Sequence, residues 1–483
     1  MNSIAPLTVD HVRDEGRREK IAQYPERILQ IGEGNFMRGF IDWMIFMLNN
    51  NTNFKGRVVA IQPTPRGKVV PKLNRQNGLY TLIRRGVENG KPVQHEDMID
   101  SISRGINPYT DWQEVLEVAT SEHIEFLFSN TTEAGLAYEK EEYTEGKSPL
   151  SFPGKVVALL YHRFKHFDGA SDKGWTILPC ELVENNGIVL RGICNQIIED
   201  WHLPRSFSEW LNESCAFCNT LVDRIVPGYP NDEADKWFEK LRYTDELLTI
   251  AEPYHLFVIN GPSNLSDRIP FVEAGLNVRF EPVATSRDMK VKLLNAPHTM
   301  MAVIGLQLGI ETVKEAMEDP LLGKFIRTVM KDEIVSVFPE DKQLQAVSYI
   351  DDVLDRFSNP FLEHRLQDIS LNSFAKFQVR VRPLIEACGV DKREKLVFSL
   401  AALITLYQAC EIKDDEKVLL AFNQVHQHDG MNPDVLKDFI ETEILSEWQL
   451  EKLEINRIVQ AVTDDVMLIQ KVGMREALAS KWK

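Results

Sequence analysis

The sequence predicts an α/β half followed by an all-helical half. Up to about Val283, short apolar runs of strand length alternate with segments of helical period. From Thr285, where TSRD offers a capping box, almost every segment has helical length, with breaks at Pro320, Pro339, Pro360, Pro383 and Pro433. At 483 residues the chain exceeds what one hydrophobic core usually serves, so two domains are expected, residues 1–284 and 285–483.

Arg27 to Ile31 is an apolar run that enters IGEGNFMRGF, and the IDWMIFMLNN that follows has helical length. A strand, a glycine turn and a helix in this order predict a Rossmann-type dinucleotide-binding domain. Gly32 and Gly34 let the backbone turn and approach a pyrophosphate, whose charge the N-terminus of the helix stabilises. The spacing departs from the usual fingerprint, because Met37 stands where a third glycine is expected and the next glycine is Gly39. Candidates at this turn are Ile31, Gly32, Glu33 and Gly34, then Asn35, Phe36, Met37 and Arg38.

Val58 to Gln62 reads as the second strand, at whose end an acidic residue normally binds the ribose hydroxyls of NAD. None is present. Gln62 offers one hydrogen bond there, while Arg66 and Lys68 lie close enough to tolerate a 2′-phosphate, so this stretch leaves NAD against NADP open. Leu79 to Arg84 alternates like a strand, Thr110 to Ala119 like a helix, and Ile124 to Phe128 like a buried parallel strand that ends in SNTTEAG. Strand ends carry ligand contacts in open α/β sheets, which makes Asn130, Thr131 and Glu133 candidates to face the cofactor; a strand-to-loop turn uses the same residue types for its own bonds. A helix over Lys155 to Phe164, a strand over Trp175 to Leu178, PCELVENNG, a helix to Trp201, and the strands in LVDRIVP and HLFVIN complete the α/β half.

Just past the junction stands KVKLLNAPH, in which Lys290, Asn295 and His298 bring an amine, an amide and an imidazole together. Such a set can move a proton and hold a developing alkoxide. On a helix, Lys290 and His298 lie about 80° apart in projection and Asn295 about 140° from Lys290, so all three can border one cavity, with Pro297 interrupting or kinking the helix. Singly, each also fits a solvated lysine, a turn asparagine or a packed histidine.

Composition excludes several classes. The net charge of −17 argues against general attraction to nucleic acid or an anionic membrane, and an anionic ligand then needs cations gathered locally. Six cysteines in so long a chain do not make a disulfide framework, and the N-terminal MNSIAPLTVDHVRDEGRREK has no apolar core for a secretion signal, so a cytoplasmic protein is expected. Leu396 to Cys410 is shorter than a bilayer span and reads as a buried helix. Cys215 and Cys218 have C-x-x-C spacing without a second pair, His426, His428 and Asp429 read as turn chemistry, and no G-x-S-x-G occurs, so no metal and no serine nucleophile are expected.

IGEGNFMRGF, NGLYT, SNTTEAG, PCELVENNG, VDRIVP, the Lys290-Asn295-His298 spacing and DRFSNP together resemble the polyol-specific long-chain dehydrogenases, the group of mannitol 2-dehydrogenase and the hexuronate reductases, over nearly the whole chain. The resemblance is strongest to the hexuronate reductases. It implies a metal-independent NAD enzyme with Lys290 as acid/base, Asn295 and His298 on the substrate oxygens, the cofactor turn at residues 28–39, and substrate contacts at Lys376, Asn186 and Asp223. Two positions depart from mannitol dehydrogenase. Leu182 follows Cys180-Glu181 where that enzyme has a second asparagine, and Asp368 stands where it has a substrate-side arginine.

The function implied is hydride exchange between nicotinamide and a sugar acid, D-altronate to D-tagaturonate, with the epimeric fructuronate as the alternative. Lys290 serves as base only when neutral, a state favoured by desolvation and a neighbouring cation such as Lys292. The carboxylate needs a dedicated cation, and HRLQDISLNSFAKFQVRVR offers Arg365, Lys376, Arg380 and Arg382, of which the resemblance favours Lys376. The contrasting class is a non-catalytic dinucleotide sensor, which has no use for the three catalytic side chains.

Overall fold

Side-chain alternation along the first strand sets the architecture of the α/β part. In β1 (Glu26–Ile31), Ile28 joins one apolar cluster while Leu29 and Ile31 join another. β2 (Arg57–Ile61) repeats the division, Val58 and Ala60 against Val59 and Ile61. A strand that is apolar on both faces has to be covered on both, as in a parallel sheet flanked by helices. The computed structural model describes residues 4–12, 15–132, 134–426 and 432–482.

The remaining strands are β3 (Tyr80–Glu88), β4 (Lys91–Ile99), β5 (Ile102–Ile106), β6 (Phe126–Ser129), β7 (Thr176–Pro179), β8 (Ala216–Phe217), β9 (Asn219–Asp223), β10 (Thr249–Ala251), β11 (Leu256–Asn260) and β12 (Val278–Phe280). The main sheet has the order β5-β2-β1-β6-β7-β8 with parallel pairing throughout. The order reverses direction between β1 and β6, so the crevice at their carboxyl ends is where a doubly wound sheet takes its ligand. Helix Ile41–Asn51 contributes to one apolar cluster, and helices Phe152–His166 and Asn186–Asp200 to the other. Two three-stranded sheets, β10-β3-β4 and β12-β11-β9, complete this part.

The β3–β4 hairpin was not expected from the sequence. β4 is mostly exposed and carries Gln94, His95, Glu96 and Asp97 in a row, so it shows no apolar alternation. Its signal lies in the turn, where Asn89 and Gly90 both have positive φ, 51° and 73°, as a two-residue hairpin turn requires.

The chain divides into two compact units. One runs to Arg85 and resumes from Val93 to Ser286; the other comprises Gly86–Pro92 and everything from Arg287. Within the second unit, helix Glu394–Ala409 is buried from Leu396 to Tyr407 and packs against helices Ala296–Gly305 and Lys452–Val472. Among the described residues no helix is long and apolar enough to cross a membrane. The first helix of the C-terminal part begins at Val283, so Thr285 lies in its first turn instead of capping it.

Candidate active site

The glycine turn closes tightly at the end of β1. Gly32 has φ +115°, its N–H donates to the Ile61 carbonyl at 3.0 Å, and a Cβ there would stand 2.7 Å from the Asn130 carbonyl oxygen. Gly34 differs, since a Cβ there would meet nothing within 4 Å, and it caps a one-turn helix, Asn35–Gly39. The first-turn amides of this helix lack intrahelical acceptors and border open space at Gly34, a cradle that fits a pyrophosphate. A break at Phe40, φ −132° and ψ −80°, separates this turn from helix Ile41–Asn51, where the sequence suggested one continuous helix.

Beneath the turn lies a buried polar layer. Arg38 donates to the Glu33 carbonyl and to Asn35 Oδ1, each at 2.6 Å, and Tyr80 donates to the Arg38 carbonyl at 2.6 Å. Gln30 Nε2 bridges the Gly32 carbonyl at 3.0 Å and Asp42 Oδ2 at 3.3 Å. Burial pushes both the Glu33 and the Asp42 carboxyl up to about 7. Ile31, Met37 and Arg38 are therefore buried supports of the turn, while Gly34, Asn35 and the half-buried Phe36 form its outer surface.

Gln62 directly follows β2 and is buried, its Nε2 on the Thr64 carbonyl at 2.8 Å and its Oε1 without a hydrogen-bond partner, an acceptor that suits a ribose hydroxyl. Arg66 and Lys68 are exposed in the loop that follows. Across the switch point, Asn130 Nδ2 donates to the Cys180 carbonyl at 2.8 Å. Thr131 donates through its N–H at 3.0 Å and its Oγ1 at 3.2 Å to the carboxylate of Glu181, which also accepts from Ser129 Oγ at 3.1 Å. Glu181 is the residue that sequence reasoning missed, a buried carboxylate that ties the end of β6 to the loop after β7; its signal was its place in PCELVENNG. Glu133 lies outside the described residues.

In the second unit the chain from Lys290 to His298 is not a uniform helix. Helix Val283–Lys290 passes into a π-helical segment, Val291–Asn295, and then into helix Ala296–Gly305. Ala296 N–H reaches back to the Val291 carbonyl, five residues earlier, immediately before Pro297, which has no N–H to offer. A π segment equals one inserted residue, which rotates everything downstream by about 100°, so Asn295 moves from about 140° to about 40° and His298 from about 80° to about −20° relative to Lys290. The expected kink is replaced by a widening that puts the three residues on one face. All three are half-buried, while Leu293, Leu294, Ala296 and Pro297 between them are buried.

His298 packs against Phe357, from the DRFSNP motif, with ring centres 4.4 Å apart and planes tilted by 41°, and meets His364 edge-on at 4.9 Å. Its Nε2 is buried without a hydrogen-bond partner. Burial, with His364, Arg356 and Arg380 nearby, holds its pKa well below the usual value, so the ring is neutral and one nitrogen is available for a substrate oxygen. Lys292 is paired with Asp288 at 2.8 Å, which offsets the charge expected to act on Lys290. Lys376, on helix Ser373–Arg380, donates to the Ile369 carbonyl at 2.9 Å, and burial, then Arg380, lowers its pKa. Asp368 is exposed.

Asn186 is 1% exposed, and its amide is taken up within the protein: Nδ2 donates to the Pro179 carbonyl at 2.9 Å and to Thr220 Oγ1 at 3.1 Å, and Oδ1 accepts from the N–H groups of Gly187 and Thr220 at 2.9 Å. Asn186 thus clamps β7 to β9. Asp223 ends β9, buried, before Arg224, which donates to the Gly39 carbonyl at 2.8 Å. Cys215 and Cys218 lie in different apolar clusters, and burial pushes both thiols up to about 12. Among the described residues no group of three or more His, Cys, Asp or Glu is placed to hold a metal; His428 and Asp429 lie outside them, as does the side chain of His426.

The chain matches the mannitol dehydrogenase Rossmann domain over residues 26–271 and the mannitol dehydrogenase C-terminal domain over residues 283–466. It is 46% identical to the altronate oxidoreductase of Halalkalibacterium halodurans, covering 96% of this chain and 94% of that protein, and 42% identical to that of Bacillus subtilis, covering 94% and 95%. In structure it is similar to a D-sorbitol dehydrogenase in substrate-free form, with TM-score 0.76, 20% identity and coverage of 95% and 96%. It is also similar to Pseudomonas fluorescens mannitol 2-dehydrogenase, whose structure is a ternary complex with NAD and D-mannitol, with TM-score 0.59, 18% identity and 95% of each chain. With both halves matched in order, and with relatives this similar along almost the whole length, the chain belongs to the mannitol dehydrogenase family of oxidoreductases.

Proposed function

We propose that this enzyme interconverts D-altronate and D-tagaturonate with NAD, without a metal. The observation that carries the reading is the full-length similarity to altronate oxidoreductases at 46% and 42% identity. The grouping of Lys290, Asn295 and His298 on one face by the π segment supports it. A cytoplasmic location belongs to the same reading.

NAD, when bound, exchanges a hydride with the substrate carbon. The chain does the rest. The main chain at Gly32 to Phe36 receives the pyrophosphate, with the open side of Gly34 facing it, and Gln62 Oε1 accepts from a ribose hydroxyl. Asn130 and Thr131, fixed by the Cys180 carbonyl and Glu181, line the strand end beside it. In oxidation neutral Lys290 takes the hydroxyl proton; in reduction protonated Lys290 returns it. Asn295 and neutral His298 hold the substrate oxygen as its charge changes, and Lys376 places positive charge for the carboxylate. Asp223 remains a proposed substrate contact, and Glu133 a proposed cofactor contact.

The test is a panel of tagaturonate, fructuronate, fructose and mannitol with reduced or oxidised nicotinamide cofactor, repeated with the phosphorylated forms. The reading expects the highest kcat/KM with tagaturonate and NADH. A preference for fructuronate moves the enzyme to the epimeric acid, a preference for NADPH reassigns Arg66 and Lys68, and no turnover with any of them leaves the dinucleotide sensor.

A further inference from the structure

The segment after Glu363 carries four cations, and the structure separates them by what already neutralises them. Arg365 is exposed and pairs with Glu363 at 2.5 Å. Arg382 pairs with Glu386 at 3.1 Å. Lys376 commits its amine to the Ile369 carbonyl. Arg380 is half-buried, and its one hydrogen bond is to a neutral hydroxyl, Thr299 Oγ1, at 3.3 Å from a single guanidinium nitrogen. Among the described residues no carboxylate pairs with it, and burial alone lowers its pKa. A guanidinium withdrawn from water without a counter-ion carries an uncompensated desolvation cost, and its planar fork is the shape that a carboxylate fits at two points.

Its position is specific. Thr299 follows His298 in sequence, and its hydroxyl donates in turn to the Asn295 carbonyl at 3.1 Å, so Arg380 is two hydrogen bonds from the main chain of the substrate-oxygen asparagine. Arg380 also lies near enough to His298 to act on its protonation. Lys376 stands one turn earlier on the same helix face. Arg356, the other cation near His298, has interactions of its own.

We propose that Arg380 binds the carboxylate of the sugar acid through a two-point pair, with Lys376 adding charge beside it, and that this pairing makes the site one for acids. The inference rests on the sugar-acid reading above. A ketouronate carries its carboxylate at the end of the carbon chain opposite the reacting carbonyl, so one cation site beside the catalytic face fixes which end enters.

The test compares Arg380→Gln and Arg380→Lys with the wild type, measuring kcat and KM for altronate oxidation and tagaturonate reduction. Losing a charge-assisted pair raises KM roughly 10- to 100-fold while kcat stays close to wild type, and the lysine variant, cationic but without the fork, recovers part of the loss. An unchanged KM, a fall in kcat at constant KM, or a lysine variant no better than the glutamine one overturns the proposal. If Arg380→Gln does not fold, Arg380→Lys alone has to raise KM several-fold or the proposal falls. A wild type that turns over only uncharged hexitols removes the sugar-acid reading and this inference together, whereas wild-type activity on altronate with an indifferent Arg380→Gln removes the inference alone.

Discussion

At the scale of single residues, Gly34 and Asp42 show how the same turn is open above and closed beneath. A side chain at Gly34 meets nothing in the protein and the residue has an ordinary φ of −69°, so Gly34→Val leaves the fold intact. What it fills is the approach of the pyrophosphate, and calorimetric titration should show NADH affinity falling at least tenfold; unchanged affinity takes the turn out of the site. Beneath it, Asp42 Oδ1 and Gln30 Oε1 are both buried acceptors without a partner, while Gln30 Nε2 already donates to Asp42 Oδ2. A proton on Asp42 Oδ1 would turn one of these two bare acceptors into a donor. Burial, opposed by the Gln30 bond and by Arg38, raises this carboxyl from 3.8 to about 7, so its contribution to stability is full below pH 3.8 and is lost as pH rises through about 7. For one proton the slope is at most about 1.4 kcal/mol per pH unit. Asp42→Asn carries a permanent donor and should flatten the fall in urea midpoint between pH 5 and 7, leaving the share due to Glu33; an undiminished slope means that Asp42 does not take up the proton. The sequence disclosed the Lys290 set because three reactive groups fall in nine residues. It did not separate Arg380 from its neighbouring cations, because only their partners differ, and it did not reveal that Asn186 is satisfied by Thr220, 34 positions away.

At the scale of elements, the π segment sets which face Lys290, Asn295 and His298 share. Deleting Val291 removes the inserted residue, so a regular helix then carries Asn295 four and His298 seven residues after Lys290, at the same about 40° and about −20°. The deletion should then keep kcat near the wild-type value, whereas Lys290→Met should lower it by roughly 10²–10⁴ with NADH affinity retained. In the wild type altronate oxidation, which releases a proton, should rise with pH, and tagaturonate reduction, which consumes one, should fall. If the deletion variant loses kcat as Lys290→Met does, a shared face is not what the three residues need; if Lys290→Met keeps its kcat, another group carries the proton. Parallel strands were legible here because each is apolar on both faces, as in β1 and β2. The β3–β4 hairpin was not, because β4 is solvated, and the π segment was not, because Pro297 predicts a disturbance without its kind.

At the scale of the whole molecule, the change of pattern near Val283 located the transition from mixed to helical structure within a few residues of Ser286. Periodicity reads one continuous stretch at a time, so it had no means of assigning Gly86–Pro92, two hundred residues earlier, to the helical unit. That assignment makes the halves non-modular at the level of the gene. Recombination at position 286 alone, the crossover a breeder of chimeric enzymes would choose, delivers a C-terminal half whose remaining seven residues come from the other parent. A chimera with a relative should melt higher and yield more soluble protein when residues 86–92 travel with the C-terminal half than when they do not. The second unit is then exchanged in two pieces of very unequal length, and a library built from single crossovers between positions 92 and 287 samples only mismatched pairs.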